Sequence, residues 1–500
     1  MNIEQLISDL FYIKPEIAVA VTLVVIVVVD LIMGKNKKAL PFISLVGLLI
    51  AGILVVQQFG TAKFVFKTSI NSSLMAIDNF GSYFKIIVVV SSIFIVFFSL
   101  SSAEIKSTYA RHGEYYSLIF GMILGMFFMV SAADLILIYL SMELLSLSSY
   151  VLAGFVKNSI RNSEASLKYV IYGGVSSGIM LFGISIIFGL TGSTNLYEIN
   201  SLIQAQSFPS ITLLLAGLFI IVGFGFKISA APFHFWTPDV YEGAPIPITA
   251  FLSVASKAAG FAVLIRFIKV VFVDSVDVNG FWHLINVIDW KSIIILLSIL
   301  TMTLGNFAAL WQDNLKRMLA YSSIAHAGYM LLGVAVLSNE GIIAIMIYFI
   351  VYLFMNLGAF FVVMLVANEI GSEEIDDYKG LGRSIPLLGV ALAIFLISLV
   401  GLPPTAGFIA KVALFIALID ANMIVVLVIT ILNTVVSVYY YIRILRNLYL
   451  VKVDEERPML RINFLNKVFV LFLAVPLIVF GIYFTPIIDF AKYSLNILGL

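Results

Sequence analysis

Cysteine is missing from all 500 residues, histidine occurs four times, and charged residues make up only 11% of the chain. Each shortage removes a class of function. Without thiols there is no disulfide framework, no thiolate-bound iron–sulfur cluster and no cysteine nucleophile. His112, His234, His283 and His326 are too scattered to suggest a haem or metal centre. Asp239 and Glu242 have no histidines at metal-ligand spacing. A formal net charge of +1 offers no electrostatic footprint for a nucleic-acid partner. No GxGxxG follows a strand and no P-loop is present; GVSSG (174–178) lies in an apolar helical run. The opening MNIEQLISDLFYIKPE lacks the basic n-region of a cleaved signal peptide, so the first apolar run is expected to stay as a span.

What fills the chain instead is apolar surface. It is 62% hydrophobic with a mean hydropathy of +1.11, whereas soluble domains run at about 45–50% apolar and about 25% charged. A soluble protein has nowhere to put that surface. The fold class expected is therefore an all-α polytopic membrane protein. Runs of about 20 apolar residues centre on 14–33, 39–59, 84–102, 115–132, 133–156, 165–190, 210–230, 246–270, 291–310, 316–337, 341–367, 384–418, 422–448 and 466–488. That makes about 14 spans, the twelfth overlong and interrupted.

An even number of spans puts both termini on one side, and basic loops choose the side. With the termini outside, 18 of the 29 lysines and arginines fall in inner loops, including GKNKK (34–38) and KNSIRNSEASLK (157–168), against 6 outside. Five remain: Lys14, Lys227, Lys257, Arg266 and Lys411. Lys14 is at a boundary, and Arg266 is near enough to a helix end to snorkel. Lys227, Lys257 and Lys411 cannot easily reach water, and Glu143 joins them near mid-membrane. The acidic inner loop EEIDDYKG (373–380) reads as a solvated face.

A charge at that depth costs roughly 2.5–3.5 kcal/mol on insertion scales, and such residues usually mark transport pathways or proton relays. A structural ion pair is the other reading, but three lysines against one acid leave an excess that pairing does not explain. Burial disfavours an ammonium and a nearby carboxylate restores it. Glu143 with Lys227 is thus expected to act as a proton switch, with Lys257 next in line.

Helix breaks accompany the lysines. AAPFHFWTPDVYEGAPIPITAF carries Pro232, Pro238, Pro245 and Pro247; GLPPTAGFIAK carries Pro403, Pro404 and Gly407, four residues before Lys411. Such breaks survive at membrane depth only where protein or a water-filled cavity satisfies the freed backbone. Paired broken segments are also the pattern of inverted-repeat transporters. YVLAG (150–154) and YMLLG (329–333) share Tyr-x-Leu-x-Gly on spans five and ten, and Lys227 and Lys411 lie on spans seven and twelve. Both pairs are five spans apart, an odd number, so the two copies must be inverted. Glu143 has no acidic counterpart; that region reads AYSSIAHAGY, with Ser322, Ser323 and the deeper His326. His326 either hydrogen-bonds across a tight helix interface or, titrating near neutrality, belongs to the relay. Ser146, Ser148, Ser149, Ser176, Ser177 and Ser256 either hold water or permit close helix approach.

The stretches KISAAPFHFWTPDVYEGAPIPITAFLSVASKAAGF, NLKRMLAYSSIAHAGYMLLG and GLPPTAGFIAK resemble the antiporter-like membrane subunits of respiratory complex I, bacterial NADH:quinone oxidoreductase. LSMELLSLSSYVLAGF and FHFWTPDVYEGAP point within them to the subunit N family, the counterpart of mitochondrial subunit 2. The resemblance runs from about residue 115 to 445. It implies an N-terminal three-helix segment (1–114), two inverted five-helix repeats at 115–275 (spans 4–8) and 290–448 (spans 9–13), and a last helix within 449–500. It implies discontinuous helices seven and twelve, and matches the family's key residues to Glu143, Lys227, Lys257 and Lys411. It further implies that no cofactor and no metal is bound, and that NADH and quinone are handled by other subunits. The expected partners are sibling antiporter-like subunits, small membrane-arm subunits and the lipid bilayer, in a cell (inner) membrane with the termini periplasmic. Alternatives are a multisubunit cation/proton antiporter, a related membrane hydrogenase or ferredoxin-driven complex, and a passive assembly scaffold.

Overall fold

A computed structural model describes residues 3–34, 36–67, 73–156, 159–285, 289–451 and 462–498. Lys35, Lys157, Lys452, Arg457 and Arg461, which enter the inner-loop count, lie outside the described residues. Helices dominate because an apolar run in hydrocarbon must satisfy every backbone N–H and C=O within itself. In chain order they are α1 Lys14–Met33, α2 Leu40–Gln58, α3 Asn79–Ser101, α4 His112–Ser131, α5 Leu135–Ala153, α6 Ile160–Thr191 and α7 Ser210–Ile228. After a break come α8 Trp236–Gly243, α9 Ile246–Phe272, α10 Trp290–Ala309, α11 Leu315–Ala335 and α12 Asn339–Ile370. The series ends with α13 Pro386–Val400, α14 Ala406–Asp420, α15 Ile424–Tyr449 and α16 Phe464–Ile482.

Among the described residues 13 helices are long and apolar enough to cross a membrane. The expected twelfth span (384–418) is instead the pair α13 and α14, each of 15 residues. Two short antiparallel hairpins, β1 Lys63–Lys67 with β2 Ser73–Ile77 and β3 Val273–Val276 with β4 Trp282–Leu284, cover helix connections. Asp9 and Tyr493, from the first and last described segments, rest at or beside the first hairpin. Phe66 N–H donates to Asp9 Oδ2 at 2.8 Å, and Asn79 Nδ2 donates to the Tyr493 carbonyl at 3.2 Å.

The helices divide into a sheath and a centre. The most apolar windows of α1 and α16 are only 22% buried, whereas those of α9, α11 and α12 are 100%, 94% and 89% buried. Polar groups on these three have no lipid-facing escape. Small residues allow the close approach: a Cβ at Gly305 of α10 would lie 2.5 Å from Ala325 N, and one at Gly328 would lie 2.4 Å from Met302 N.

Several basic residues expected near water are inside. Arg266 does not snorkel. It is 0% exposed and grips Asp78 with two hydrogen bonds of 2.7 and 2.8 Å, while Asp78 caps α3 through Gly81 N–H. Lys85, counted with the outer charges, is buried against Glu16 at 2.5 Å. Lys269 is buried too, donating to Asn339 Oδ1 at 3.1 Å beside the Trp282 ring. A basic residue one or two turns from a helix end can reach inward as easily as outward, and a buried acceptor, a carboxylate for Arg266 and Lys85 and an amide oxygen for Lys269, decides the direction. Removing one member of a buried pair costs about 3–5 kcal/mol, because the other is left charged and unpaired. Arg266→Met is therefore expected to lower the melting temperature of the assembled protein, with Asp78→Asn added to it recovering most of the loss. An additive further loss in the double variant would show that the pair is not what couples them.

Candidate functional site

α7 ends where Ser229 adopts a left-handed conformation (φ 63°) just ahead of Pro232. The freed carbonyls are met locally. Gly225 O accepts from Ala230 N–H at 2.8 Å and Phe226 O from the Trp236 indole at 2.9 Å, so Trp236 on α8 closes the break. Lys227, in the last turn of α7, is buried and donates to Ser146 Oγ at 3.0 Å. Ser146 stands one turn after Glu143 on α5. Both line a cavity of about 10 Å³ with Tyr139, Tyr150, Ser176 and Ser177, room for about one water. The expected Glu143–Lys227 ion pair is not formed: Ser146 takes the ammonium, and Glu143, half-buried, faces the cavity.

Lys257 follows a π-turn, Leu252–Ser256, that widens α9 just before it, a feature common at functional sites. It is 0% exposed, and its ammonium donates to the Ser323 carbonyl at 2.8 Å and to Ser323 Oγ at 2.6 Å. Gly260, a turn further on, brings α9 against α7. A Cβ there would lie 2.8 Å from Ile228 Cγ2 and 3.6 Å from Lys227 Cγ. The helices bearing the two lysines meet at this glycine.

Ser323 leads along α11 to His326. The imidazole lies between two tyrosines on other helices, Nδ1 2.7 Å from the Tyr348 hydroxyl and Nε2 3.3 Å from the Tyr441 hydroxyl. Tyr441 closes back onto Ser322 Oγ at 2.5 Å. Both readings of His326 meet here, since it bridges helices and also joins a chain of exchangeable protons.

The second break resembles the first in its effect. Gly401 turns the chain with φ 83°, and Lys411 on α14 donates back to the Val400 carbonyl at 2.7 Å. A Cβ at Gly401 would sit 2.7 Å from Lys411 Cδ, so only glycine leaves that path clear. The ammonium is 4.8 Å from the centre of the Tyr329 ring. The two Tyr-x-Leu-x-Gly tyrosines thus stand at the two ends, Tyr150 beside the Glu143 cavity and Tyr329 beside Lys411.

Ser146, Ser322 and Ser323 were conspicuous in the sequence; Tyr348 and Tyr441 were not. Tyr441 is one of three consecutive tyrosines (439–441), and only the pairing of α15 with α11 selects it. His234 is buried, stacks on Phe235 and stands apart from these hydrogen bonds.

On the face opposite the termini, Asp239 of α8 is not without partners. It binds Lys168 at 2.6 Å and Arg317 at 2.6 Å, and Arg317 also holds Glu242 at 2.8 Å. Burial pushes the Asp239 carboxyl up, but the hydrogen bonds from Lys168 and Arg317 outweigh it and hold the group below its ordinary value. A carboxyl whose folded value is depressed stabilises above its unfolded value, near 3.9, and that contribution is lost as pH falls through the folded value. Asp239→Asn is expected to destabilise the protein at neutral pH and to flatten its stability against pH below about 4, as read from melting temperatures. An unchanged acid limb would contradict this.

Residues 132–437 match the family model described as NADH:quinone oxidoreductase/Mrp antiporter, TM. Among curated relatives, NADH-quinone oxidoreductase subunit N 2 of Chloroherpeton thalassium is 46% identical over 97% of this chain and 94% of its own. Subunit N of an Anaeromyxobacter species is 41% identical over 99% and 98%. Among solved structures, a chain of respiratory complex I from Thermus thermophilus superposes with a TM-score of 0.79 at 29% identity, covering 95% of this chain and 99% of that one. A chain of an archaeal membrane-bound sulfane sulfur reductase reaches 0.84 at 23% identity over 97% of each, which speaks to the fold alone. With 46% identity over nearly its whole length, the chain belongs to the NADH-quinone oxidoreductase subunit N family.

Proposed function

We propose that protons cross the membrane domain along Glu143, Ser146, Lys227, Lys257, Ser323, His326 and Lys411, and that this is the chain's part in an NADH:quinone oxidoreductase. It is a proton-translocating subunit of the membrane arm, working beside sibling antiporter-like and small membrane subunits. NADH oxidation and quinone reduction belong to other subunits, whose energy drives the protons; this chain needs no cofactor or metal of its own. Both termini face the periplasmic side, as the basic loops of the opposite face favour. Spans 4–8 and 9–13 act as two inverted repeats, each contributing one broken helix and its lysine.

One observation carries the reading. Lys85 and Arg266 are locked to carboxylates, whereas Lys227, Lys257 and Lys411, and Lys269 near the end of α9, hydrogen-bond only to neutral oxygens or face a ring, Glu143 standing near Lys227 without pairing to it. A lysine on neutral dipoles can exist in either protonation state without stranding a counter-charge, which a structural ion pair cannot do. Its neighbours, hydroxyls and an imidazole, can both give and take a proton.

Glu143 supplies the one carboxylate at the Lys227 end. Glu143→Gln keeps the shape and removes the titration, so proton translocation by the reconstituted enzyme is expected to fall severalfold while the complex still assembles. Full translocation in that variant would remove Glu143 from the pathway.

A further inference from the structure

We infer that Asn306 is a positioning residue for Lys411, acting through the ring of Tyr329. The inference rests on the relay reading, since it concerns how one member of that chain is held. Lys411 has no carboxylate; besides the Val400 carbonyl, its ammonium meets the face of Tyr329. The same ring stands edge-on to His326, with centroids 5.8 Å apart. One aromatic ring therefore touches the last two groups of the pathway, and its tilt sets the gap between them. A cation is attracted to the face of a ring and not to its edge, so a ring free to swing about its Cα–Cβ bond would carry its face away from the ammonium.

Asn306 anchors the free end of the ring against that swing. Its Nδ2 donates to the Tyr329 hydroxyl at 2.9 Å and to Asn433 Oδ1 at 3.3 Å, while its Oδ1 accepts from the Tyr440 hydroxyl at 3.0 Å. Two donors and an acceptor are thus engaged, which fixes the amide plane. Asn433 is fixed in turn by the Ile429 carbonyl at 3.0 Å and Thr303 Oγ1 at 3.3 Å. Asn306 is 0% exposed although α10, which carries it, is mostly a peripheral helix. It neither reaches water nor touches Lys411. Its chemistry is spent on the far end of the tyrosine.

The test uses the assembled enzyme in proteoliposomes, scoring protons translocated per NADH oxidised and the pH profile of translocation. Asn306→Leu and Tyr329→Phe each release the pin while keeping the ring. Both are expected to lower the proton yield severalfold and to move the pH profile by the same amount. The double variant is expected to be no worse than Asn306→Leu alone, because the Asn306 hydrogen bond that Tyr329→Phe removes is already broken there. Tyr329→Leu, which removes the ring itself, is expected to do more harm than Tyr329→Phe. Asn433→Leu loosens α10 against α15 without freeing Tyr329 and is expected to keep the pH profile. Normal yield in Asn306→Leu, or losses that add in the double variant, would overturn the inference. Lys411→Met separates the levels: normal translocation there sinks the relay reading itself, whereas loss there with a normal Asn306→Leu sinks only the positioning role.

Discussion

Lys257→Met is expected to abolish nearly all proton movement through this chain. A positioned acid–base group contributes roughly 10²–10⁴-fold to proton transfer, and in the proposed pathway Lys257 joins the two halves of the site. It lies on α9, the fully buried helix, with Gly260 against the Lys227 stem on one side and Ser323 on its own ammonium on the other. Methionine fills the same volume at modest packing cost, so assembly is expected to survive. The measurement is acidification of proteoliposomes during NADH oxidation, with and without a protonophore. A protonophore relieves back-pressure but cannot mend a severed relay, so NADH oxidation is expected to stay slow in its presence. Recovery of the oxidation rate by protonophore would show that the variant still translocates and only meets an opposing gradient.

Lys227→Met is expected to have the next largest effect. Lys227 is held at the end of a broken helix, with the α7 carbonyls already satisfied by Ala230 and Trp236. The break therefore does not depend on the ammonium, and its removal leaves the fold in place. What disappears is the ammonium that meets Ser146 at the Glu143 cavity and that the proposed pathway carries on to the centre. Proton yield per NADH is expected to drop by about ten-fold or more in the flux through this chain. Ser146→Ala, which removes only the intervening hydroxyl, is expected to do less, since a water in the cavity can take its place.

The groups that stood out in the sequence did so because a bilayer makes them conspicuous. A lysine, a glutamate or a proline pair inside an apolar run has no ordinary place there, and Glu143, Lys227, Lys257, Lys411 and both breaks were legible on that ground. Their pairings were not. Tyr348 and Tyr441 carry no hydropathy signal, and which of the serines and tyrosines meets which lysine is set by helix packing. Arg266, Lys85 and Lys269 were misplaced for a related reason. Near a helix end, a basic residue bound for water and one bound for Asp78 or Glu16 look alike in sequence. Even the Glu143–Lys227 relation was only half visible, because Ser146, one turn along α5, intercepts the ammonium.

The central claim is that these residues form one pathway in series. Groups that act as a unit are non-additive when removed together. The most direct test is proton yield per NADH in proteoliposomes for Lys227→Met, Lys411→Met and the double variant. The account predicts a double variant no worse than the more impaired single one. Losses that multiply, or a single variant with full yield, would contradict it.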